Sequence, residues 1–414
     1  MDMQSKAKKL IEMIQTAPVE WKPLGEVGLL VRGNGLQKKD FTESGVPAIH
    51  YGQIYTYYGN QTDKTLSFVS PELAEKLKKV DKGDVVITNT SENIEDVGKA
   101  LLYLGEEQAV TGGHATIFKP SKEIVGKFFV YFTQTEIFDK AKRKFAKGTK
   151  VIDVSATDMA KIQIPIPPLE TQKKIVKILD KFTELEATLE AELALRKRQY
   201  RYYRDFLLDF DNQIGGGIAD GYQCRLKDVV WKTLGEVAEY SKNRICSDKL
   251  NEHNYVGVDN LLQNREGKKL SGYVPSEGKM TEYIVNDILI GNIRPYLKKI
   301  WQADCTGGTN GDVLVIRVTD EKVNPKYLYQ VLADDKFFAF NMKHAKGAKM
   351  PRGSKTAIMQ YKIPIPPLSE QEKIVAILDK IDTLTHSVSE GLPHEIALRR
   401  KQYEYYCEQL LAFR

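Results

Sequence analysis

Two stretches of the chain concentrate side chains that could hold a polyanion. From Lys140 to Lys150, six of eleven residues are basic (Lys140, Lys142, Arg143, Lys144, Lys147 and Lys150) and none is acidic. The run recurs from Lys343 to Lys355 as Lys343, Lys346, Lys349, Arg352 and Lys355, again without an acid. Cations clustered in this way neutralise nucleic-acid phosphates, a contact that positions a protein without reading sequence. Each run contains an Ala-Lys-Gly step (146–148 and 345–347) whose glycine would let a backbone approach closely. Upstream of the first run lie His50, Tyr51, Gln53, Asn89, Thr90 and His114. Upstream of the second lie Asn260, Asn292, Arg294, Tyr296, Lys298, Lys299, Thr309 and Asn310. Amides, hydroxyls and arginine carry the donor and acceptor pairs that match base edges in the major groove, so these are the candidates for reading bases. The segment 291–299, GNIRPYLKK, is the densest of them.

Catalytic patterns fail by comparison. There is no GxxxxGK[ST] loop to cradle the phosphates of ATP. Asn324-Pro325-Lys326-Tyr327 has the outline of the Asn-Pro-Pro-Tyr motif of adenine methyltransferases, but it lacks the second proline. It reads instead as a helix start, with Asn324 as cap and Pro325 in the first turn. Gly33-Asn34-Gly35 is too short for a dinucleotide fingerprint, and six histidines are scattered without an HExxH pair or a triad. The cysteines at 224, 246, 305 and 407 form no CxxC pair, which argues against a structural zinc and against a disulfide framework. The expected chain is therefore non-catalytic, with no metal or cofactor of its own.

Composition bounds the class. The 414 residues are 42% hydrophobic and 28% charged, the balance of a globular protein with more than one domain. No segment approaches the ~18 apolar residues of a membrane helix, and the N-terminal MDMQSKAKKLIEMIQ has no signal-peptide core. A cytoplasmic protein is expected. A net charge of +6, from 61 basic and 55 acidic residues, is too mild to name a polyanion partner by itself.

The elements that would position these side chains are written twice. WKPLGEV (21–27) and WKTLGEV (231–237) share six of seven residues. KIQIPIPPLETQKKIVKILDK (161–181) and QYKIPIPPLSEQEKIVAILDK (360–380) share fourteen of twenty-one. LRKRQYRYYRDFLL (195–208) and LRRKQYEYYCEQLL (398–411) share eight of fourteen. Between the shared ends, roughly 28–145 and 238–344, resemblance is faint, as expected of one module whose two copies do different versions of one job. Short strands are expected at Val85–Ile87 and Ile288–Ile290, and helices over 128–138 and 326–332.

After IPIPP, which cannot be helical, apolar residues recur at three- and four-residue spacing. Ile175, Ile178, Phe182, Leu185 and Leu189 form one seam, and Ile374, Ile377, Ile381, Leu384 and Val388 repeat it. Ser369 and Glu372 have capping-box spacing. The first rod, 169–210, would span about 60 Å, and the second should break at Gly391 and Pro393. Two such seams can pair antiparallel. The tyrosine-rich rod ends, including Tyr200, Tyr203, Tyr403 and Tyr406, have the spacing of a helix–helix or partner contact rather than of a base-stacking platform. The segment DNQIGGGIADGY (211–222) reads as a flexible connector.

These motifs, WKxLGEV, KIPIPPLxEQ leading into KIVxILDK, and the RKQYxYYRDxLL tail, resemble the specificity subunit of type I restriction-modification systems. The resemblance covers nearly the whole chain. Thr171 in LETQ, where the second copy has the more usual LSEQ, and Cys407 opposite Arg204 are its small departures. It implies an α+β chain in which two mixed target-recognition domains (1–163 and 215–362) alternate with conserved coiled-coil regions (164–214 and 363–414). Each domain would read half of a split, asymmetric site in double-stranded DNA, and the helices would act as a spacer. They would also dock two modification methyltransferase subunits, and restriction subunits would join the assembly. S-adenosylmethionine, ATP and Mg would reside on those partners, and no membrane would be involved. At this point a stand-alone DNA-binding regulator or architectural protein, or a pure coiled-coil scaffold, remains open.

Overall fold

The computed structural model describes residues 3–16, 19–210, 229–386 and 390–413. The glycine-rich connector 211–222, Cys224 and Val388 lie outside the described residues. Two compact units emerge, one of Met1–Thr188 with Ile396–Arg414 and the other of Leu189–Glu395. They do not follow the boundaries of the two sequence copies. Each unit holds one reader domain, the start of that reader's own helix, and the tyrosine-rich tail of the other copy.

In both units the two shared motifs that are far apart in sequence pair with each other. Glu20–Pro23 lies antiparallel to Gln163–Ile166, with Trp21 opposite Pro165. Val230–Thr233 lies antiparallel to Lys362–Ile365, with Trp231 opposite Pro364. The hinge is extended because successive prolines exclude helical geometry, and so the WKxLGEV strand closes each reader at its base.

The first reader has a five-stranded sheet in the order 28–32, 115–120, 85–88, 100–103, 61–62, and a four-stranded sheet in the order 67–69, 46–49, 109–111, 78–80. The second has two four-stranded sheets, 238–240, 313–318, 288–291, 300–302 and 244–246, 279–283, 307–309, 255–256. Val85–Thr88 and Ile288–Gly291 are wholly buried central strands, as their apolar runs require. The two middles are more alike than their sequences suggest. A parallel pair, Val110 beside Ala48 or Gly308 beside Tyr255, sits in the sheet of each reader that lacks the buried central strand, internal in the first and at the edge in the second. Asp84 pairs with Lys119 at 2.5 Å, and Asp287 pairs with Arg317 at 2.7 Å, at corresponding places. What differs is the edges: the extra strand 67–69 flanks one side of the sheet with the parallel pair in the first reader, 244–246 flanks the other side in the second, and 61–62 adds a fifth strand to the first reader's other sheet.

The helix expected over 128–138 is two helices, Gly126–Phe132 and Glu136–Phe145, separated where Thr133 and Thr135 turn their hydroxyls onto Val130 and Phe132 carbonyls. Asn324 caps Pro325–Leu332 by accepting the Lys326 and Tyr327 N–H groups. The first rod is one helix, Leu169–Leu208, and the second is divided into Leu368–His386 and Leu392–Leu411 around Gly391 and Pro393. Because that helix starts at Leu368, Ser369 lies inside it and the expected Ser369–Glu372 capping box does not form.

Within each unit the helices pair antiparallel. Phe182 stacks on Tyr406 with centroids 5.1 Å apart, and Glu186 pairs with Arg400, so the residue numbers run in opposite directions. In the other unit Leu207 and Leu208 pack with Ile374, Val375 and Leu378. The buried part of the seam is Ile175, Ile178, Phe182 and Ile374, while Leu185, Leu189, Ile377 and Ile381 are half-buried. Leu384, expected in the seam, is exposed.

Candidate nucleic-acid interface

The basic runs and the reading candidates, far apart in sequence, meet in each reader by the same main-chain wiring. The Lys147 and Asp153 N–H groups donate to each other's carbonyls at 3.0 and 2.8 Å, making a hairpin. Val154 then donates to the Asn89 carbonyl at 3.0 Å, and Asn89 donates to the His114 carbonyl at 2.8 Å. In the second reader Lys346 and Arg352 exchange bonds of 2.9 and 2.8 Å, Gly353 donates to Asn292 at 3.0 Å, and Asn292 donates to Asp312 at 2.8 Å. Each hairpin therefore lies across the end of the buried central strand, beside the TGGH (111–114) or TNGD (309–312) loop. Side chains make the same tie with opposite polarity. Arg32 bonds Asp153 at 2.9 Å and the Gly113 carbonyl at 2.9 Å, whereas Arg352 itself bonds Asp312 at 2.7 Å.

The glycines have a different task from the one expected. Gly148 and Gly347 sit at φ of +101° and +104° and form the hairpin turns. A Cβ at Gly148 would lie 2.0 Å from the Val151 carbonyl oxygen, so the turn itself requires glycine.

Acids supplied by neighbouring segments divide the predicted phosphate contacts. Lys142 is a correction: it is 5% exposed, donates to the Val97 carbonyl at 2.7 Å and pairs with Asp139, so it anchors its helix rather than facing solvent. Burial drives its pKa down. Lys140 pairs with Glu136, and Arg143 with Asp139 and Glu95. Lys144, Lys150, Lys343 and Lys349 are exposed. Lys147 is also exposed but bonds Asp158 at 3.0 Å. Bonds from Lys161, Lys147 and Ser155 hold the Asp158 carboxyl far below the usual carboxylate range. In the second hairpin Ala357 occupies the place of Asp158, leaving the exposed Lys346 without that acid.

The reading candidates separate by burial. Asn89, Thr90, Asn260, Asn292 and Thr309 are buried, which corrects their assignment to a base-facing surface. Thr309 is the counterpart of Thr111, and each hydroxyl donates to a carbonyl of the neighbouring parallel strand. Asn260 accepts the Gly257 N–H and donates to Leu270. The side-chain amides of Asn89 and Asn341 and the Asn292 oxygen have no partner among the described residues, the kind of buried polar site that ordered water fills. Gln53 is committed to Ser67 at 2.7 Å. His50 caps the helix Tyr51–Thr56 by accepting the Gly52 N–H at 3.2 Å, and burial, then the His114 and Lys38 charges, lower its pKa. Tyr51 lies between His50 and exposed His114 at 4.6 and 4.8 Å, and His114 Nδ1 meets the Thr90 hydroxyl at 2.7 Å. In the second reader Arg294 and Tyr296 are exposed, Asn310 is half-buried, and Lys298 is tied to Asp335 at 2.8 Å.

The family described as "Type I restriction modification DNA specificity domain" matches residues 18–195 and 227–398. The chain belongs to that family. Among similar proteins is the type I restriction enzyme EcoR124I/EcoR124II specificity subunit of Escherichia coli, 29% identical over all of this chain and 98% of its own. Another is a putative type I restriction enzyme specificity subunit of Haemophilus influenzae, 28% identical over 99% of this chain and all of its own. Among solved structures, the S subunit of the type I restriction-modification system from M. genitalium superposes with a TM-score of 0.55 at 15% identity, over 96% of each chain. That likeness is one of fold.

Each specificity domain also contains one residue that sequence reading passed over. Gln172 is fully buried; it accepts the Val125 N–H at 2.8 Å and donates to the Glu123 and Pro167 carbonyls at 2.9 and 2.8 Å. Gln371 makes the same three bonds, from Asn324 and to Lys322 and Pro366, at 2.8, 2.9 and 2.8 Å. It is the final residue of LETQ and LSEQ, unchanged between the copies, and its three bonds are made beside Thr171 as they are beside Glu370. The tyrosines divide likewise. Tyr200 donates to Gln330 and Tyr403 to Gln134, Tyr406 is stacked on Phe182, and Tyr203 is half-buried. Tyr202 and Tyr405, at equivalent places, are 62% and 59% exposed. Among the described residues, no helix is long and apolar enough to cross a membrane and no cluster of His, Cys, Asp and Glu could hold a metal ion.

Proposed function

We propose that this chain is the non-catalytic DNA-recognition subunit of a cytoplasmic type I restriction-modification complex, each reader recognising one half of a bipartite, asymmetric duplex site. The observation that carries this reading is the duplicated wiring, in a member of the specificity family: one basic hairpin per reader, docked on the same strand end beside a loop that differs between them. Lys147, Lys150, Lys346 and Lys349 hold phosphates, and His114, Tyr51, Arg294 and Tyr296 face the bases. The 40-residue helix, which gives one half to each unit, sets the spacing between the two half-sites.

The tails supply the partner surface. Leu195, Arg198 and Tyr202 are exposed on one helix face at spacings of three and four, and Leu398, Lys401 and Tyr405 repeat them. An exposed apolar-basic-aromatic stripe present twice fits two copies of one partner, the modification methyltransferase. Restriction subunits complete the assembly, and S-adenosylmethionine, ATP and Mg belong to those partners. Exchanging residues 28–145 for the equivalent segment of another specificity subunit tests the modular part. One half-site changes and the other stays; a change in both halves together overturns it.

A further inference from the structure

Between the tail of the long helix and the second reader lies a cavity of about 270 Å³ with an unusual charge arrangement. Five cations line it: Lys197, Arg201, Arg204, Arg265 and Lys298. Three acids also reach it, Glu266, Asp335 and Asp382, so the lining is net positive. Arg204 is only 2% exposed, and its ion pair among the described residues is a 3.4 Å contact to Asp205, itself 65% exposed. Arg265 and Lys298 share Asp335. The buried Nε atoms of both Arg204 and Arg265 have no acceptor among the described residues. Buried guanidinium donors are costly unless an anion meets them.

Two further observations point the same way. Asn264, Arg265 and Lys298 all adopt left-handed backbone conformations, with φ of 55°, 68° and 52°, and the Arg265 N–H donates to the Lys298 carbonyl at 3.0 Å. Such conformations cost energy in residues other than glycine and gather where side chains must be held in place. Burial, then the Arg204 charge, pushes the Arg265 pKa down to about 10, as expected where two guanidinium groups face one another. The other copy has Cys407 where this one has Arg204, a buried thiol directed at the Tyr131 carbonyl, so the cavity is not a duplicated scaffold feature.

We propose that this cavity binds a phosphoryl oxyanion, held by Arg204, Arg265 and Lys298. The group belongs either to a small free ligand or to the DNA backbone, and the second source rests on the DNA-recognition reading above. Calorimetric titration of the full chain with inorganic phosphate, and separately with pyrophosphate, at fixed ionic strength tests it. Saturable one-site binding is expected. Arg265→Gln and Lys298→Gln each weaken it by about tenfold, the loss of one charge-assisted bond, with circular dichroism unchanged. Arg204→Cys, borrowing the residue of the other copy, abolishes it. DNA affinity measured in the same series, with Lys346→Glu as a control on the hairpin, distinguishes the sources. Displacement of DNA by phosphate, with weaker DNA binding by Arg265→Gln, assigns the backbone. Phosphate binding at unchanged DNA affinity assigns a free ligand. If neither anion binds saturably and Arg265→Gln retains full DNA affinity, the proposal is overturned, whatever Lys346→Glu does to DNA binding.

Discussion

Lys147 and Lys346 occupy one position in two copies but meet different neighbours, and this sets unequal expectations for the same substitution. Lys147 is held by Asp158, so a phosphate must compete with that carboxylate for it. In the second copy Ala357 stands at the equivalent place, so the exposed Lys346 has no such carboxylate among the described residues. Lys346→Glu is expected to weaken DNA binding by about tenfold or more and to lower the salt slope by about one. Lys147→Glu should have the smaller effect. Binding isotherms over a salt series check the ranking, and equal losses would contradict it. Gln172 poses a separate test, since truncation to alanine strands a buried N–H and two carbonyls. Gln172→Ala should cost about 2–3 kcal/mol of stability in the first unit, read by denaturant unfolding. The sequence contained this residue in plain view, identical in both copies, but a glutamine in a helical run carries no signal of burial. Lys142 failed in the opposite sense, because a basic run does not say which member turns inward.

Among elements, the hinge strand, the central strands and the long helices were legible, since proline chemistry and apolar spacing act locally. The docking of the hairpins was not, because it is set by partners more than fifty residues away, Asn89 and Asn292. The exchange of tail helices also escaped local reading. Tyr406, Cys407, Leu410, Leu411 and Phe413 are buried against the first reader and the start of the long helix. Deleting 396–414 should therefore remove on the order of 10 kcal/mol of apolar burial from the first unit. Hydrogen exchange is expected to rise in residues 3–188 and to stay low in 229–386. The capping histidine adds a pH dependence. His50 titrates below its ordinary 6.5, so below that value the unfolded chain binds the extra proton and stability falls as pH drops. Protonation also removes the Nδ1 acceptor of the cap. Urea unfolding at acidic and neutral pH should show this loss, and His50→Asn should flatten it.

At the scale of the whole molecule, the duplication is the strongest message the sequence carries, and the family it resembles is the family to which it belongs. The length resolves into two modules, and a small net charge resolves into hairpins whose cations are partly matched by acids from elsewhere in the fold. The faintness of the middles misled in one respect: ion pairs such as Asp84–Lys119 and Asp287–Arg317 preserve the scaffold although the residues around them differ. The structural differences include the sheet edges, where strands such as 67–69 and 244–246 change and the buried central strands remain. The central claim is that this chain alone chooses the DNA site for a partner's chemistry. Mapping methylated adenines across a host genome, with the chain present and deleted, tests it most directly. The account predicts one asymmetric bipartite motif with a fixed spacer, lost on deletion; a motif that persists without the chain, or one with no gap, would contradict it.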